Sequence, residues 1–335
     1  MICVILPGYF EKEAMDITED ILQAVFIGLV VATFLLNTGR ALKATEVCKE
    51  CLIFLNTRLV KMEGEIFNCF YTDMYNTIFR AYCLIPDHTE ALIYGRKLLD
   101  IYRQCGKKEE EGNFTILLAN IYRQHCRHQE AIELYEIAIK ITKEIGDREN
   151  EAYANHMVGI ISYHLGDYDK AREYFEEGLV IEIQIGDKEG EATSYGNLGN
   201  VLKSLGQYDK AKEYLQKALA INTQTGDKEG EASSRGNLGT VFQTLGQYDK
   251  AKENLEKALA IRIQIGDKEG EASLYGNLGT VFTSLGQYDK AKEYLEKALT
   301  IRVQNGDKEG EARLYGNLGI VVQSLGQYDK AKFFF

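Results

Sequence analysis

Cys48 and Cys51 form the one CxxC pair of potential metal ligands in this chain. A tetrahedral zinc site would need a second close pair, and Cys69 and Cys83 stand fourteen residues apart. Both members of the close pair fall where an apolar core is expected, and free cysteine packs there as a small apolar residue. His125 and His128 sit at a turn without a third ligand, and His164 occupies a groove-facing position. None of these sets supplies a nucleophile, a base and an orienting acid. The recurrent glycines never form the GxxxxGK[ST] run of a phosphate loop. The chain is therefore read as no enzyme, with no metal and no cofactor.

A row of amides is more informative. Asn197, Asn237, Asn277 and Asn317 recur at one spacing, accompanied by Thr193, Ser233, Ser273 and Arg313, and by Asn200, Thr240, Thr280 and Ile320. A carboxamide both donates and accepts, so it can pair with a peptide backbone whatever that peptide's sequence. Regular spacing suits a ligand in extended conformation. The candidate groove is Asn197, Asn200, Lys203, Asn237, Thr240, Asn277, Thr280, Arg313 and Asn317. The competing reading makes the same residues solvated, or links between adjacent repeats. Arg235, which stands where other copies carry tyrosine, is expected to snorkel toward solvent.

The elements that hold this row follow from self-similarity. Residues 231–270 and 271–310 differ at eight positions, and the frame of forty runs through Ala91, Ala131, Ala171, Ala211, Ala251, Ala291 and Ala331. An earlier copy, Gly39 to Leu52, lies one spacer upstream, which makes seven repeats and a truncated eighth. Each unit reads as two helices. Asp227 can cap the first, which runs to about Leu245 before Gly246 ends it. The second spans Tyr248 to Ile265 and stops at Gly266. Arg235, Leu238, Gly239 and Phe242 form one stripe of the first helix, answered by Ala251, Leu255, Ala258 and Leu259. Glycine inside a helix costs about 1 kcal/mol against alanine, so Gly239 implies close approach of the partner helix. No unit buries its faces alone, so neighbours must stack.

The formal net charge of -11, with no dense Lys/Arg tract, argues against nucleic acid as a partner. Seven cysteines confined to Cys3–Cys126, and a start lacking a basic secretory leader, suit a reducing cytoplasmic compartment. The apolar run from Ile21 to Leu36 is sixteen residues, short of the ~20 needed to span a bilayer, and is read as a buried repeat helix. Phe333 and Phe335 leave an uncapped C-terminal end inviting self-association, as in a fragment or an incomplete gene product.

Tyr195, Leu198, Gly199, Ala211 and Ala218, with Gly206 and Tyr208, resemble the tetratricopeptide repeat signature. The forty-residue form, with its GNLG segment and GD turn, is similar to LGN/Pins-type G-protein signalling modulators and to tetratricopeptide repeat protein 28. The resemblance implies an all-α, right-handed α-solenoid of stacked antiparallel helix pairs. The expected organisation is an N-terminal segment at 1–20 that is poorly ordered, degenerate repeats one and two at 21–106, regular repeats at 107–310, and a truncated repeat at 311–335. It also implies a protein-interaction scaffold or adaptor that holds an extended partner segment in a concave groove, where relatives such as kinesin light chain contact peptide through asparagines at this motif position. LGN-like proteins read acidic peptides through basic residues at the Arg313 position, and Thr193, Ser233 and Ser273 depart from that. The alternative is the sensor arm of a larger signalling protein with a caspase-like or nucleotide-binding effector.

Overall fold

The computed structural model describes residues 15–58, 65–85 and 89–327, and among them every regular element is a helix. In chain order these are α1 (Met15–Asn37), α2 (Ala41–Arg58), α3 (Glu65–Cys83), α4 (Thr89–Gln104), α5 (Lys108–Gln124), α6 (His128–Ile145), α7 (Arg148–His164) and α8 (Tyr168–Ile185). They continue as α9 (Lys188–Ser204), α10 (Tyr208–Thr225), α11 (Lys228–Thr244), α12 (Tyr248–Ile265), α13 (Lys268–Ser284), α14 (Tyr288–Asn305) and α15 (Lys308–Ser324). Compactness divides the chain after Asn150. In the first unit α1 packs on α2, α3 on α4 and α5 on α6; in the second, α9 packs on α10, α11 on α12 and α13 on α14, each pair against the next. The all-α solenoid of stacked antiparallel helix pairs is thus present in each unit.

Helix ends sit where the residues place them. Asp227 Oδ1 accepts the Gly230 backbone N–H at 3.0 Å, and Asp267 and Asp307 do the same for Gly270 and Gly310 at 2.9 Å. Gly266, at φ 77°, closes α12 in the left-handed region that a side chain would strain. Inside α11, a Cβ on Gly239 would stand 2.6 Å from Leu255 Cγ and 3.3 Å from the Ala251 carbonyl oxygen. That is the close approach the glycine implies.

The same two positions, sixteen residues apart, are filled differently along the chain. They hold Ala32 and Cys48, Phe79 and Gly95, Ala119 and Tyr135, Gly159 and Phe175, then Gly with Leu in the next three copies. One member is always small and the other varies in size, and in the second repeat the large one has moved to the first helix. The Phe79 ring lies 3.1 Å from where a Gly95 Cβ would be. Interiors are packed closely enough that one helix can bulge here only if the other recedes. Cys48 is one such core filler, and burial, reinforced by Cys51 beside it, pushes its thiol up to about 12.

One expectation needs correction. The run from Ile21 to Leu36 does lie in a repeat helix, but only one side of α1 is buried. Ile27, Val31 and Phe34 are 58, 42 and 63% exposed, whereas Ser234, Leu238 and Val241 at the same positions of α11 are 4, 2 and 0% exposed. That face of α11 lies against α10, and among the described residues no helix pair precedes α1. At the N-terminus, α1 begins at Met15. Residues 1–14 and 328–335, including Phe333 and Phe335, lie outside the described residues.

Candidate functional site

The amide row lies on the first helices of the second unit, α9, α11, α13 and α15, and each of the four asparagines is half-buried. An open cleft of about 450 Å³ between α11, α12 and α13 is lined by Ser233, Asn237, Thr240, Arg262, Ser273 and Asn277, among others. The carboxamides of Asn237 and Asn277 carry no hydrogen bond from the protein among the described residues. Their neighbours are engaged. Thr240 and Thr280 hydroxyls donate back to the Asn237 and Asn277 carbonyls at 2.8 Å. Gln243 Nε2 then donates to Thr280 Oγ1 at 3.0 Å, and Lys203 Nζ reaches Thr240 Oγ1 at 3.5 Å. These rungs tie successive first helices together and fix the spacing of the free amides. Burial in this position holds the Lys203 ammonium below its ordinary range.

Asn197 and Asn200 share a second cleft, lined also by Tyr163, His164 and Phe175. Asn197 Nδ2 lies 3.0 Å from His156 Nε2, one repeat earlier. The His156 ring packs edge-on to Phe175, and burial pushes its pKa down to about 4, so the neutral ring accepts the amide proton. Arg313 is exposed and Asn317 half-buried on α15, outside both clefts.

The tetratricopeptide repeat profile matches residues 110–181, 190–264 and 266–335. The chain belongs to the tetratricopeptide repeat family. No curated protein sequence matches it. Among solved structures, it is similar to the apo form of RapI with a TM-score of 0.66 and 19% identity, over 90% of this chain and 84% of that one. The apo quorum sensor NprR from B. thuringiensis gives a TM-score of 0.60 and 16% identity, over 92% and 85%. A signal transduction ATPase with numerous domains from Pyrococcus horikoshii, which carries a tetratricopeptide repeat sensor, gives 0.59 and 18%, over 93% of this chain and 51% of that one. At such identities the likeness is one of fold. The finer similarity to LGN/Pins-type modulators and tetratricopeptide repeat protein 28 is not carried by these matches.

Within the tetratricopeptide frame, two sets of residues escape a reading based on apolar stripes. Glu191, Glu231, Glu271 and Glu311 are buried in the first helices, each paired with a lysine three residues earlier. The recurring Lys-Glu-Gly-Glu run was the available signal. At Glu231 a further partner corrects the expectation for Arg235: its Nε and Nη2 donate to Glu231 Oε1 at 3.0 and 2.9 Å instead of reaching solvent. The lysine hydrogen bond, and then the arginine, hold the Glu231 carboxyl below the usual range. The second set is Arg262 and Arg302, which reach from the second helices beside the amide row. Their signal was slight, since the equivalent residues are Glu182 and Asn222.

No helix among the described residues is long and apolar enough to cross a membrane.

Proposed function

We propose that this chain is a scaffold or adaptor that holds an extended segment of a partner protein against the first helices of its repeats. The observation that supports this most is the pair of unengaged carboxamides, Asn237 and Asn277, lining one polar cleft. Carboxamides left half-buried with no internal partner are satisfied by a ligand backbone, which offers one N–H and one C=O per residue. Thr240, Thr280 and Lys203 hold the geometry, Asn197 and Asn200 extend the groove toward the second cleft, and Arg313 and Asn317 continue it onto α15. Repeats one and two (21–106) serve as the diverged end of the array, and repeats from 107 to 310 as its regular body. No catalytic step is assigned.

Changing Asn237 and Asn277 together to alanine is expected to weaken a captured partner by about thirtyfold, the loss of roughly one net hydrogen bond per amide, with an unchanged melting temperature. Affinity capture with mass spectrometry supplies the partner, and titration calorimetry reads the difference. Equal affinity in the two proteins sinks the role given to these amides.

The half-length likeness to the multidomain ATPase favours a second reading, the sensor arm of a larger signalling protein. Sequencing the full transcript separates the two readings: an effector module in the same open reading frame supports it, and a frame that closes after a capping helix removes it.

A further inference from the structure

Successive repeats bring equivalent residues into equivalent surroundings, so one repeat reports what its neighbour is shaped to hold. In the sixth and seventh repeats, Arg262 Nη1 lies 2.8 Å from Asp267 Oδ2 and 3.7 Å from Glu229 Oε1, and Nη2 donates to Ser233 Oγ at 2.6 Å. Forty residues on, Arg302 Nη1 lies 2.8 Å from Asp307 Oδ2 and 3.8 Å from Glu269 Oε1, and Nη2 donates to Ser273 Oγ at 2.7 Å. The chain therefore contains two copies of a guanidinium cradle made of a helix-capping aspartate, a first-turn glutamate and a hydroxyl.

Forty residues before the first copy, the cradle positions are Asp227, Glu189 and Thr193, but Asn222 stands where the arginine would be. Asn222 turns into the helix packing instead, with Nδ2 donating to Ser234 Oγ at 3.2 Å. Asp227 Oδ1 is occupied by the Gly230 N–H, and neither Asp227 nor Glu189 has an ion pair among the described residues. These exposed positions carry two carboxylates and the Thr193 hydroxyl, which donates to the Glu189 carbonyl at 2.9 Å and keeps its lone pairs to accept, and no arginine stands among them.

We infer, on the groove reading above, that Glu189, Thr193 and Asp227 together take an arginine side chain from the partner segment, completing the cradle that Arg262 and Arg302 complete from within. A guanidinium is planar, permanently charged and able to span a carboxylate and a hydroxyl at once, as the two internal copies show. The net charge of -11 draws a basic segment toward the groove. The partner is thus an extended, arginine-bearing peptide and not an acidic one.

The test uses the full chain and a fluorescein-labelled peptide of three Gly-Ser-Arg triplets, with citrulline replacing arginine in a second peptide, read by fluorescence anisotropy. The arginine peptide is expected to bind about tenfold tighter than its uncharged isostere. Asn222→Arg fills the cradle internally, and is expected to remove about that same factor while the melting temperature holds or rises. Arg262→Asn opens a second cradle and tightens binding. Should Asn222→Arg fail to fold, Glu189→Gln with Thr193→Ala weakens the arginine peptide alone, whereas Glu253→Gln, an exposed glutamate of α12 paired with Lys257, leaves it unchanged. Equal binding of the two peptides, an unaffected Asn222→Arg protein, or an equal loss from Glu253→Gln overturns the inference. If the Asn237/Asn277 double variant still weakens binding in that case, the groove reading stands and only the arginine site falls; if neither moves, both fall.

Discussion

Leu255→Ala is expected to destabilise the unit from 151 to 335 by about 2–5 kcal/mol, measured as a shift in the urea midpoint. Leu255 is fully buried, and its branched end occupies the space that Gly239 leaves open across the helix pair. Removing it loses the transfer energy of the side chain and leaves a cavity that two helices joined by a short turn can only partly close. Gly239→Phe is expected to be harmful for the opposite reason, because even a Cβ there stands 2.6 Å from Leu255 Cγ. The second repeat holds the compensated form, with Phe79 on the first helix and Gly95 on the second. Gly239→Phe combined with Leu255→Gly should therefore recover most of the stability lost by either change alone, a coupling that a double-mutant cycle reads directly. Additive losses would show that the two positions do not share one volume, and would end the close-approach account of the repeated glycine.

The second large effect is on pH dependence. Burial lowers the His156 pKa from 6.5 to about 4, so the unfolded chain takes up a proton near 6.5 and the folded chain only near 4. The stability carried by neutral His156 is complete above about 6.5 and is lost as pH falls through that window. The loss between pH 7.5 and pH 5 is about 2 kcal/mol. Protonation would also set an N–H against the Asn197 amide, which already donates to Nε2. Glu182 works in the other direction: burial raises its carboxyl pKa, so its contribution is present at low pH and falls away as pH rises. Comparison with His156→Gln separates the two, since Glu182 is common to both proteins. The variant should lose about 2 kcal/mol less than the parent on acidification, by thermal or urea unfolding at the two pH values. Superimposable pH profiles would remove His156 as the titrating group.

Much of the candidate site is legible in the sequence, because it repeats. The spacing of Asn197, Asn237, Asn277 and Asn317 on helices of known period puts them on one side of successive first helices. What spacing could not distinguish is which of them are free. Asn197 is engaged because residue 156 is a histidine in the preceding repeat, a pairing across forty-one residues with no periodic signal. Arg262 and Arg302 gave only a slight signal for a related reason: arginine near the end of an amphipathic helix reads as solvated until a capping aspartate and a serine from outside that helix are seen around it.

By itself the sequence determined the helix pairs, their boundaries, the forty-residue frame and the position of the close helix contact. Those rest on local chemistry: an aspartate cap, a glycine in the left-handed region, an apolar stripe at helical period. Only the tertiary structure decided which polar groups are satisfied internally. It turned Arg235 from solvent to Glu231, exposed the Ile27, Val31 and Phe34 side of α1, and left the Asn237 and Asn277 amides open. Hydrogen-bond satisfaction depends on the few ångströms between neighbouring helices, and that distance is set by packing between residues far apart in the chain.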